Sequence, residues 1–422
     1  MMEILSTREK IKRARIYKGI TLKELCGDKI SISKMSCIEN GKVKADEDIL
    51  KYVSDKLDID FNYLIQDVYE QVISNLSILK KCQNHNDEFE KNLRLNMEYA
   101  VEYEYYDLGF ELIHLMFTYF LEFNKYEKIQ LIISQYYDLY QRINTKDNTI
   151  TYFRDMARYL FQNEEYTEAI AYYSRLRELI KSENNSRDND IYALLAYNEG
   201  ICYCRIHNEE MAYKLLSEAI ASTKSLDDNL VKGNIYHAYA LVCIKLKHKD
   251  AKEYINKAYE YQKDNTIQLA ISKCEYGEAY FNVGDSKKAI EEIIEGIRIF
   301  PPHNTKKYVQ FLNECIEVLY NNKEYIHALE LTDEALDLAI EINDIKHIER
   351  SYFFKGSILQ KQGSYLQAEM YMNLSLDSLM KFGSKEERKN RYLDMANMYY
   401  NLGEIKDSIR YFTLAMSKEK DI

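Results

Sequence analysis

Apolar residues recur at helical spacing through most of the 422-residue chain, and short turn signals separate the apolar stretches. In the segment "STREKIKRARIYKG", Ile11 and Ile16 stand at helical spacing, and Gly19 follows as a stop signal. The pattern predicts an all-α protein, with an N-terminal five-helix domain followed by an array of helical hairpins.

Capping signals mark the next helices. The stretch "TLKE", Thr21 to Glu24, has the form of a capping box that begins a second helix. Ser31 is an N-cap residue for a third helix, which Gly41 would end. Two further helices carry apolar residues at core spacing, namely Ile49, Val53, Leu57, Phe61 and Leu64.

The third helix separates apolar from small side chains. With about 100° between successive residues, Met35 and Ile38 lie on one side. The other side carries Ile32, Ser33, Ser36 and Cys37. Such a face can approach base edges in a major groove, and Lys42 and Lys44, just beyond the helix, can contact phosphates.

The sequence that follows the N-terminal five-helix domain, called the head below, has a repeating pattern. Segments 197–219, 276–296, 354–375 and 394–415 each place a small residue in a first helix, then a turn, then a small residue in a second helix. The first-helix positions are Gly200, Gly277, Gly356 and Ala396, and the second-helix positions are Ala212, Ala289, Ala368 and Ser408. This is the tetratricopeptide pattern of paired antiparallel helices.

Weaker copies at Ala169, Ala251 and Ala328 give spacings of 43, 39, 38, 39, 40 and 40 residues between second-helix positions. Segments 86–103 and 123–140 look like two degenerate hairpins, which brings the total to eight or nine. We therefore expect a right-handed superhelical solenoid with a concave groove. The predicted domains are 1–65, the five-helix head; 66–84, a linker helix; and 85–422, the repeat domain.

Charge is distributed unevenly along the chain. Residues 1–44 carry 11 Lys/Arg against 5 Asp/Glu, a balance of +6, whereas the whole chain has a net charge of -11 and the remainder therefore -17. A basic head on an acidic body favours nucleic-acid binding by the head alone.

Composition and motifs disfavour other classes of protein. The longest apolar runs are shorter than the ~20 residues of a membrane span, and the charged start differs from a signal peptide, so we expect a cytoplasmic protein. The sequence has no Gly-rich phosphate loop, no metal-binding spacing and no recognisable nucleophile motif. We therefore predict neither enzymatic activity nor a metal or cofactor.

The head resembles the repressor-type helix-turn-helix family of phage repressors and Cro. The matching residues are Arg15, Gly19, Thr21, Leu25, Ser31, Ser36, Ile38, Glu39, Asn40 and Gly41. The resemblance implies that Arg15 pairs with Glu39, that Ser33 and Cys37 read bases, and that Asn40, Lys42 and Lys44 contact the DNA backbone. Leu22 departs from the family, which commonly has a DNA-contacting glutamine at that position.

The head and the repeats together resemble the RRNPP family of peptide-sensing regulators from Gram-positive bacteria. Chain length and hairpin number look most like the NprR and PlcR type, and like clostridial sporulation and toxin regulators. The resemblance implies a homodimer, a short signalling peptide as ligand, and control of sporulation, virulence or conjugation genes. A dimer should read an inverted-repeat operator in double-stranded DNA.

A second function stays open. The body can instead be a Rap-like module that binds a response regulator of the sporulation phosphorelay through residues 66–142. Gln66, Gln71 and Gln83 are candidate phosphatase glutamines by location alone. The transcription factor is favoured because the head retains its DNA-facing side chains, and Rap proteins lack such a head.

Peptide contacts are expected along the inner wall, which the first helix of each hairpin lines. The candidate residues are Tyr197, Asn234, His237, Glu278, Phe281, Asn313, Glu317, Asn397 and Tyr400. Asparagine is informative because its amide both donates and accepts hydrogen bonds and can hold a peptide backbone. We expect the dimer contact near 385–415, where Tyr399, Tyr400 and Phe412 either cover a neighbouring subunit or cap the solenoid's own core.

Overall fold

The computed structural model describes residues 4–82, 86–181, 188–223, 226–301, 303 and 305–417, with the side chains of 188 and 189 excepted. Across these residues the regular elements are α-helices, which confirms the predicted all-α class. Contacts between Cα atoms divide the chain into two compact units, Met1–Ser182 and Glu183–Ile422. Gln83 and the predicted linker boundary at 84–85 lie outside the described residues.

Five helices begin the first unit: α1 (Thr7–Tyr17), α2 (Leu22–Cys26), α3 (Ile32–Glu39), α4 (Glu47–Leu57) and α5 (Phe61–Ile65). The capping box is present, because Thr21 Oγ1 accepts from Glu24 N at 3.2 Å and Glu24 Oε2 accepts from Thr21 N at 2.7 Å. A shared core contains Ile11, Leu25, Cys26, Ile30, Met35, Ile38, Ile49, Val53, Leu57 and Leu64. Ile16 is 59 % exposed, because a residue five positions from Ile11 lies on another face of the helix.

The first unit continues with α6 (Val68–Lys81), α7 (Asp87–Glu102), α8 (Tyr106–Glu122), α9 (Tyr126–Ile143), α10 (Lys146–Gln162) and α11 (Tyr166–Lys181). Segments 86–103 and 123–140 were each expected to form a hairpin, but they contain one helix each, α7 and α9, and both helices pack on α8. Each segment is therefore too short to hold two helices with a turn between them.

The second unit contains α12 (Asp188–Arg205), α13 (Glu209–Ala221), α14 (Asn229–Lys245), α15 (Ala251–Gln262), α16 (Thr266–Asn282), α17 (Ser286–Ile299), α18 (Thr305–Asn321), α19 (Tyr325–Glu341), α20 (Ile345–Lys361), α21 (Tyr365–Leu379), α22 (Lys385–Leu402) and α23 (Ile405–Met416). Each even-numbered helix packs most closely on the odd-numbered helix that follows it. This pairing confirms the tetratricopeptide-like hairpins.

Small residues allow the paired helices to approach closely. A Cβ atom added at Gly277 would lie 2.5 Å from Ile293 Cγ1 and 2.9 Å from the carbonyl oxygen of Ala289. Because the second of these atoms belongs to the backbone, a side chain at Gly277 would push α16 away from α17. The anchors read from the sequence are thus helix-crossing points. No candidate membrane span occurs among the described helices.

Candidate functional site

Helix α3 is held in place by its cap and its buried face. Ser31 Oγ accepts a hydrogen bond from Lys34 N at 3.2 Å, which confirms Ser31 as the N-cap residue. Met35 and Ile38 are buried in the core of the head. Gly41 has φ +72°, a left-handed conformation that suits glycine and ends the helix. The opposite face of α3 is consequently fixed relative to α1 and α4.

That opposite face carries the predicted DNA-contacting residues of α3, of which Ser33 and Cys37 are expected to read bases. Ile32 is 48 % exposed, and Ser33 and Asn40 are also exposed. Ser36 and Cys37 are half-buried. Asn40 Nδ2 lies 3.4 Å from Ser36 Oγ, so these two side chains are adjacent on the surface. The structure therefore brings the five residues to one accessible face.

Three lysines flank this face. Lys42 and Lys44 are exposed beyond the end of α3, as the sequence predicted. Lys34 is a third, which sequence reasoning missed although it precedes Met35 on the exposed side. Its Nζ lies 3.1 Å from Asp46 Oδ2, in a pair that is exposed on both sides. An exposed pair of this kind is weak, so Lys34 can exchange Asp46 for a phosphate at little cost.

Arg15 and Glu39 form the internal ion pair that the helix-turn-helix resemblance implied. Arg15 Nε donates to Glu39 Oε1 at 2.7 Å, and Arg15 Nη2 donates to Glu39 Oε2 at 2.9 Å. The third donor, Nη1, reaches the carbonyl of Ile20 at 3.1 Å. Because the Glu39 carboxylate accepts these hydrogen bonds, the pKa of the Arg15 guanidinium is raised above its ordinary value. This pair joins the end of α1 to the end of α3 and so fixes the exposed face.

Lys10 is a buried cation that sequence reasoning did not single out. Its Nζ donates to the carbonyl oxygens of Tyr63 at 2.6 Å and Gln66 at 2.7 Å, which are the unpaired carbonyls at the end of α5. Burial lowers the pKa of Lys10. A lysine on a helix is usually solvated, so nothing in the local sequence reveals this contact.

Gln71 ties helix α6 to the N-terminal segment. Its Nε2 donates to the carbonyl of Leu5 at 2.8 Å, and its Oε1 accepts from Leu5 N at 3.1 Å. Nε2 also lies 2.9 Å from the carbonyl of Asp67. Gln71 is buried, so this candidate phosphatase glutamine serves a structural contact in this conformation. The carbonyl of Gln66 accepts from Lys10, and Gln83 lies outside the described residues.

In the second unit, Asn234 and His237 lie one turn apart on α14, and His237 contacts α16. His237 Nε2 and Glu275 Oε2 are 2.5 Å apart. The ring of His237 packs on that of Tyr276, with centroids 4.8 Å apart. His237 is 7 % exposed, and Asn234 is half-buried. Two of the predicted peptide-binding residues thus share one polar layer between neighbouring repeats.

This layer contains buried polar atoms whose hydrogen bonds are not made within the protein. Among the described residues, none offers a hydrogen bond to Asn234 Oδ1, His237 Nδ1, Ser272 Oγ, Tyr276 Oη or the side-chain amide of Gln262. An unsatisfied buried polar group costs about 1–3 kcal/mol. Burial also raises the pKa of Tyr276 well above its ordinary value, so its hydroxyl stays protonated and able to donate. Because these atoms are shielded from solvent, a ligand with amide groups can supply the donors and acceptors they lack only when the surrounding helices move apart.

Two predicted contacts lie in the protein interior, and their prediction is wrong for this conformation. Phe281 is buried in the apolar cluster between α16 and α18. Asn313 is 2 % exposed, and its Nδ2 donates to the carbonyl of Val309 at 3.0 Å. Ser351 Oγ of the next hairpin lies 3.5 Å from Asn313 Oδ1. The following first helix covers both side chains, which the repeat register alone did not reveal.

The remaining predicted contacts are scattered. Glu278 and Asn397 are exposed, and Tyr400 is 66 % exposed. Glu317 Oε2 is paired with Arg350 Nη2 at 2.5 Å. Tyr197 is half-buried, and burial raises its pKa to about 12. The negative charge of Glu275, the partner of His237, also raises the pKa of Tyr197, so Tyr197 lies near the layer around His237. The described structure therefore gathers only part of the predicted set.

A buried charge network in the last hairpins was also missed. Arg391 Nη2 pairs with Glu349 Oε1 at 2.9 Å, and Ser375 Oγ donates to the same oxygen at 2.7 Å. The guanidinium of Arg391 lies over the ring of Phe353, 3.6 Å from its centroid. Burial lowers the pKa of Arg391 and raises that of Asp394. Arg391 stands among other charged residues in the stretch KEERKNRYLD, so the sequence alone does not distinguish it as buried.

Comparison with known proteins gives distant relatives. No family model matches the chain. A TPR repeat-containing protein of Methanocaldococcus jannaschii is 25 % identical over 334 residues, which are 70 % of this chain and 54 % of the relative. The chain thus spans about half the length of that relative. The transcriptional activator NprA of Geobacillus stearothermophilus is 21 % identical over 318 residues, 64 % of this chain and 76 % of the relative.

Among solved structures, the apo form of the quorum sensor NprR from B. thuringiensis overlaps 83 % of this chain and 99 % of that chain, with 17 % identity and a TM-score of 0.44. In the described part of the chain, no group of three or more His, Cys, Asp and Glu side chains is placed to hold a metal ion.

Proposed function

We propose that this protein is a transcription regulator. Helices α1 to α5 bind operator DNA, and a short signalling peptide bound by the second unit controls that binding. The observation that carries the proposal is the exposed face of α3, where small side chains stand between flanking lysines.

The physical chemistry of the head supports DNA binding. Ser33 and Cys37 are short enough to let the helix backbone approach base edges, and Ser33 can donate or accept a hydrogen bond there. Lys34, Lys42 and Lys44 are placed at the margins for phosphates. The balance of +6 in residues 1–44 concentrates the attraction to DNA in this region.

The layer around Asn234 and His237 supports peptide binding. Its unsatisfied atoms include donors and acceptors, and they come from α14, α15 and α16. A peptide backbone presents alternating N–H and C=O groups and can satisfy several of them at once. Because the atoms are buried, binding in this way requires α14 and α16 to separate, which couples peptide binding to a change in the second unit.

The sequence relatives agree with this assignment in part. One of them is a transcriptional activator, NprA, and the similarity extends over 318 residues. We infer that control of sporulation or toxin genes, as the RRNPP resemblance implies, is the biological setting, and that the protein works in the cytoplasm.

We further propose a homodimer through helix α23. Ile405, Ile409, Phe412 and Met416 are spaced four, three and four residues apart, and each is at least 51 % exposed. Residues at this spacing form one apolar stripe on a helix, and such a stripe on a surface marks an association site. Tyr399, which was expected to take part, instead stacks on Tyr411 with centroids 5.3 Å apart.

Genome-wide mapping of the bound DNA, with and without conditioned medium, tests the proposal. We expect enrichment at a small set of inverted repeats, and a change in occupancy when the medium supplies the peptide. A matched strain carrying Ser33→Arg, which blocks the exposed face of α3 without touching the core, should lose those peaks. Absence of sequence-specific peaks under both conditions, together with capture of a response regulator, would replace this proposal by the Rap-like alternative.

A further inference from the structure

The turn between α14 and α15 is unusually basic. The stretch "KLKHKDAK", residues 245–252, holds four lysines and one histidine against a single carboxylate. The unit around it is acidic, because Glu183–Ile422 carries 31 Lys/Arg against 38 Asp/Glu. A cationic turn in an acidic unit creates a local potential that a uniform charge distribution would not.

This turn borders a cavity of 340 Å³. Four lysines line it, namely Lys247, Lys249, Lys252 and Lys288, together with His248 and one carboxylate, Asp285. Part of its wall is apolar or aromatic, formed by Ile244, Val283 and Tyr280. The volume falls at the lower end of the roughly 300–1,000 Å³ of small-molecule sites.

Only part of this positive charge is neutralised by the surroundings. Lys288 Nζ pairs with Asp285 Oδ2 at 2.8 Å and lies 5.3 Å from the centre of the Tyr280 ring. His248 Nδ1 lies 3.5 Å from Asp250 Oδ2. Lys249 and Lys252 are exposed at the cavity margin. With Asp285 engaged by Lys288, several ammonium groups face one concave space, where their fields add.

We propose that this cavity binds a small ligand bearing a diphosphate or triphosphate group. Lysine ammonium groups are strong point-charge partners for phosphate, and several of them around one concavity favour a compact multivalent anion over a single carboxylate. The wall formed by Tyr280 and Val283 can accept the base of a nucleotide, whereas inorganic pyrophosphate would use the lysines alone. This site shares no residue with the peptide layer or with the DNA-binding head, and it does not depend on the function proposed above.

Isothermal titration of the full-length protein with inorganic pyrophosphate and with ATP tests this inference. The test variant is Lys249→Gln/Lys252→Gln, and the control is Lys263→Gln/Lys307→Gln, which removes the same charge from two exposed lysines outside the cavity. We expect the parent and the control to bind at least one probe equally, and the test variant to bind it at least about tenfold more weakly. Affinity should also fall as salt rises.

The two probes distinguish the sources of the phosphate. Binding of ATP alone would assign the site to a nucleotide, and binding of both would assign it to the phosphate group itself. No saturable heat with either probe up to about 1 mM, or equal weakening by the two double variants, would overturn the proposal. Loss of duplex-DNA affinity in the test variant, with neither small probe bound, would instead assign these lysines to nucleic acid.

Discussion

Removing the Glu39 carboxylate should destabilise the head far more than breaking an exposed ion pair of the same length on its surface. The Glu39 side chain is 5 % exposed and that of Arg15 is 15 % exposed, with 2.7 Å between Arg15 Nε and Glu39 Oε1. Glu39→Ala leaves the guanidinium in a desolvated place without a counter-charge. Breaking a buried pair in this way costs about 3–5 kcal/mol. The exposed pair Glu47–Lys51 has a similar length, 2.7 Å, and is the matched control.

Hydrogen–deuterium exchange of the full chain, followed by mass spectrometry, measures this cost locally. We expect protection of the α1 and α3 amides to fall roughly 100- to 3,000-fold in Glu39→Ala, up to the limit set by the stability of the head itself. Lys51→Gln should change protection by less than about fivefold, because exposed pairs contribute at most about 1 kcal/mol. The double variant Arg15→Leu/Glu39→Leu should recover much of the loss, since no charge is left buried. Equal protection in Glu39→Ala and Lys51→Gln would refute the reasoning.

Three further predictions concern function. Ser33→Ala should change sequence preference by about 1–3 kcal/mol at one base position, whereas Lys42→Ala should weaken all sequences alike and reduce the salt dependence in electrophoretic shift titrations. Uniform effects of both changes would contradict the assignment. Asn234→Ala should abolish the response to peptide while peptide-independent DNA binding persists, and a normal response would place the ligand elsewhere. Ile409→Asp should convert the dimer to monomers in sedimentation velocity. If the protein stays dimeric both with this substitution and after truncation at about residue 380, α23 is excluded as the dimer contact.

The local features of this fold could be predicted from the sequence because their physical causes are local. A capping box such as Thr21–Glu24 requires two side chains three residues apart and the backbone between them. The anchors at Gly277 and Ala289 are similarly visible, because helix crossing excludes larger side chains at both positions and the hairpin repeats. The two faces of α3 followed from helical periodicity alone, and Met35 and Ile38 are buried as expected.

Long-range polar partners could not be predicted in the same way. Gln71 reaches Leu5 across 66 residues, and Lys10 reaches the end of α5 across more than 50. The spacing of apolar residues predicts neither contact, because each contact depends on how two separate segments pack together. The Arg15–Glu39 pair could be predicted only from the resemblance to a known helix-turn-helix family, in which the packing of the corresponding helices is already known.

Asn234 and Asn313 show where the reasoning about the groove succeeded and where it failed. Both were chosen as amides on first helices, but Asn313 Nδ2 donates to the Val309 carbonyl on its own helix and Ser351 lies against its Oδ1, whereas Asn234 Oδ1 has no such partner among the described residues. The difference comes from the next first helix. Helix α20 places Ser351 against Asn313, whereas α16 places Glu275 and Tyr276 against His237 and, among the described residues, no donor against Asn234 Oδ1. The position of a residue in the repeat predicts only approximately which face of the helix it occupies. Whether its side-chain amide is hydrogen-bonded within the protein depends on the residues of the neighbouring helix. An asparagine whose hydrogen bonds are already made gains little from a peptide, so Asn234 is the stronger candidate for ligand recognition.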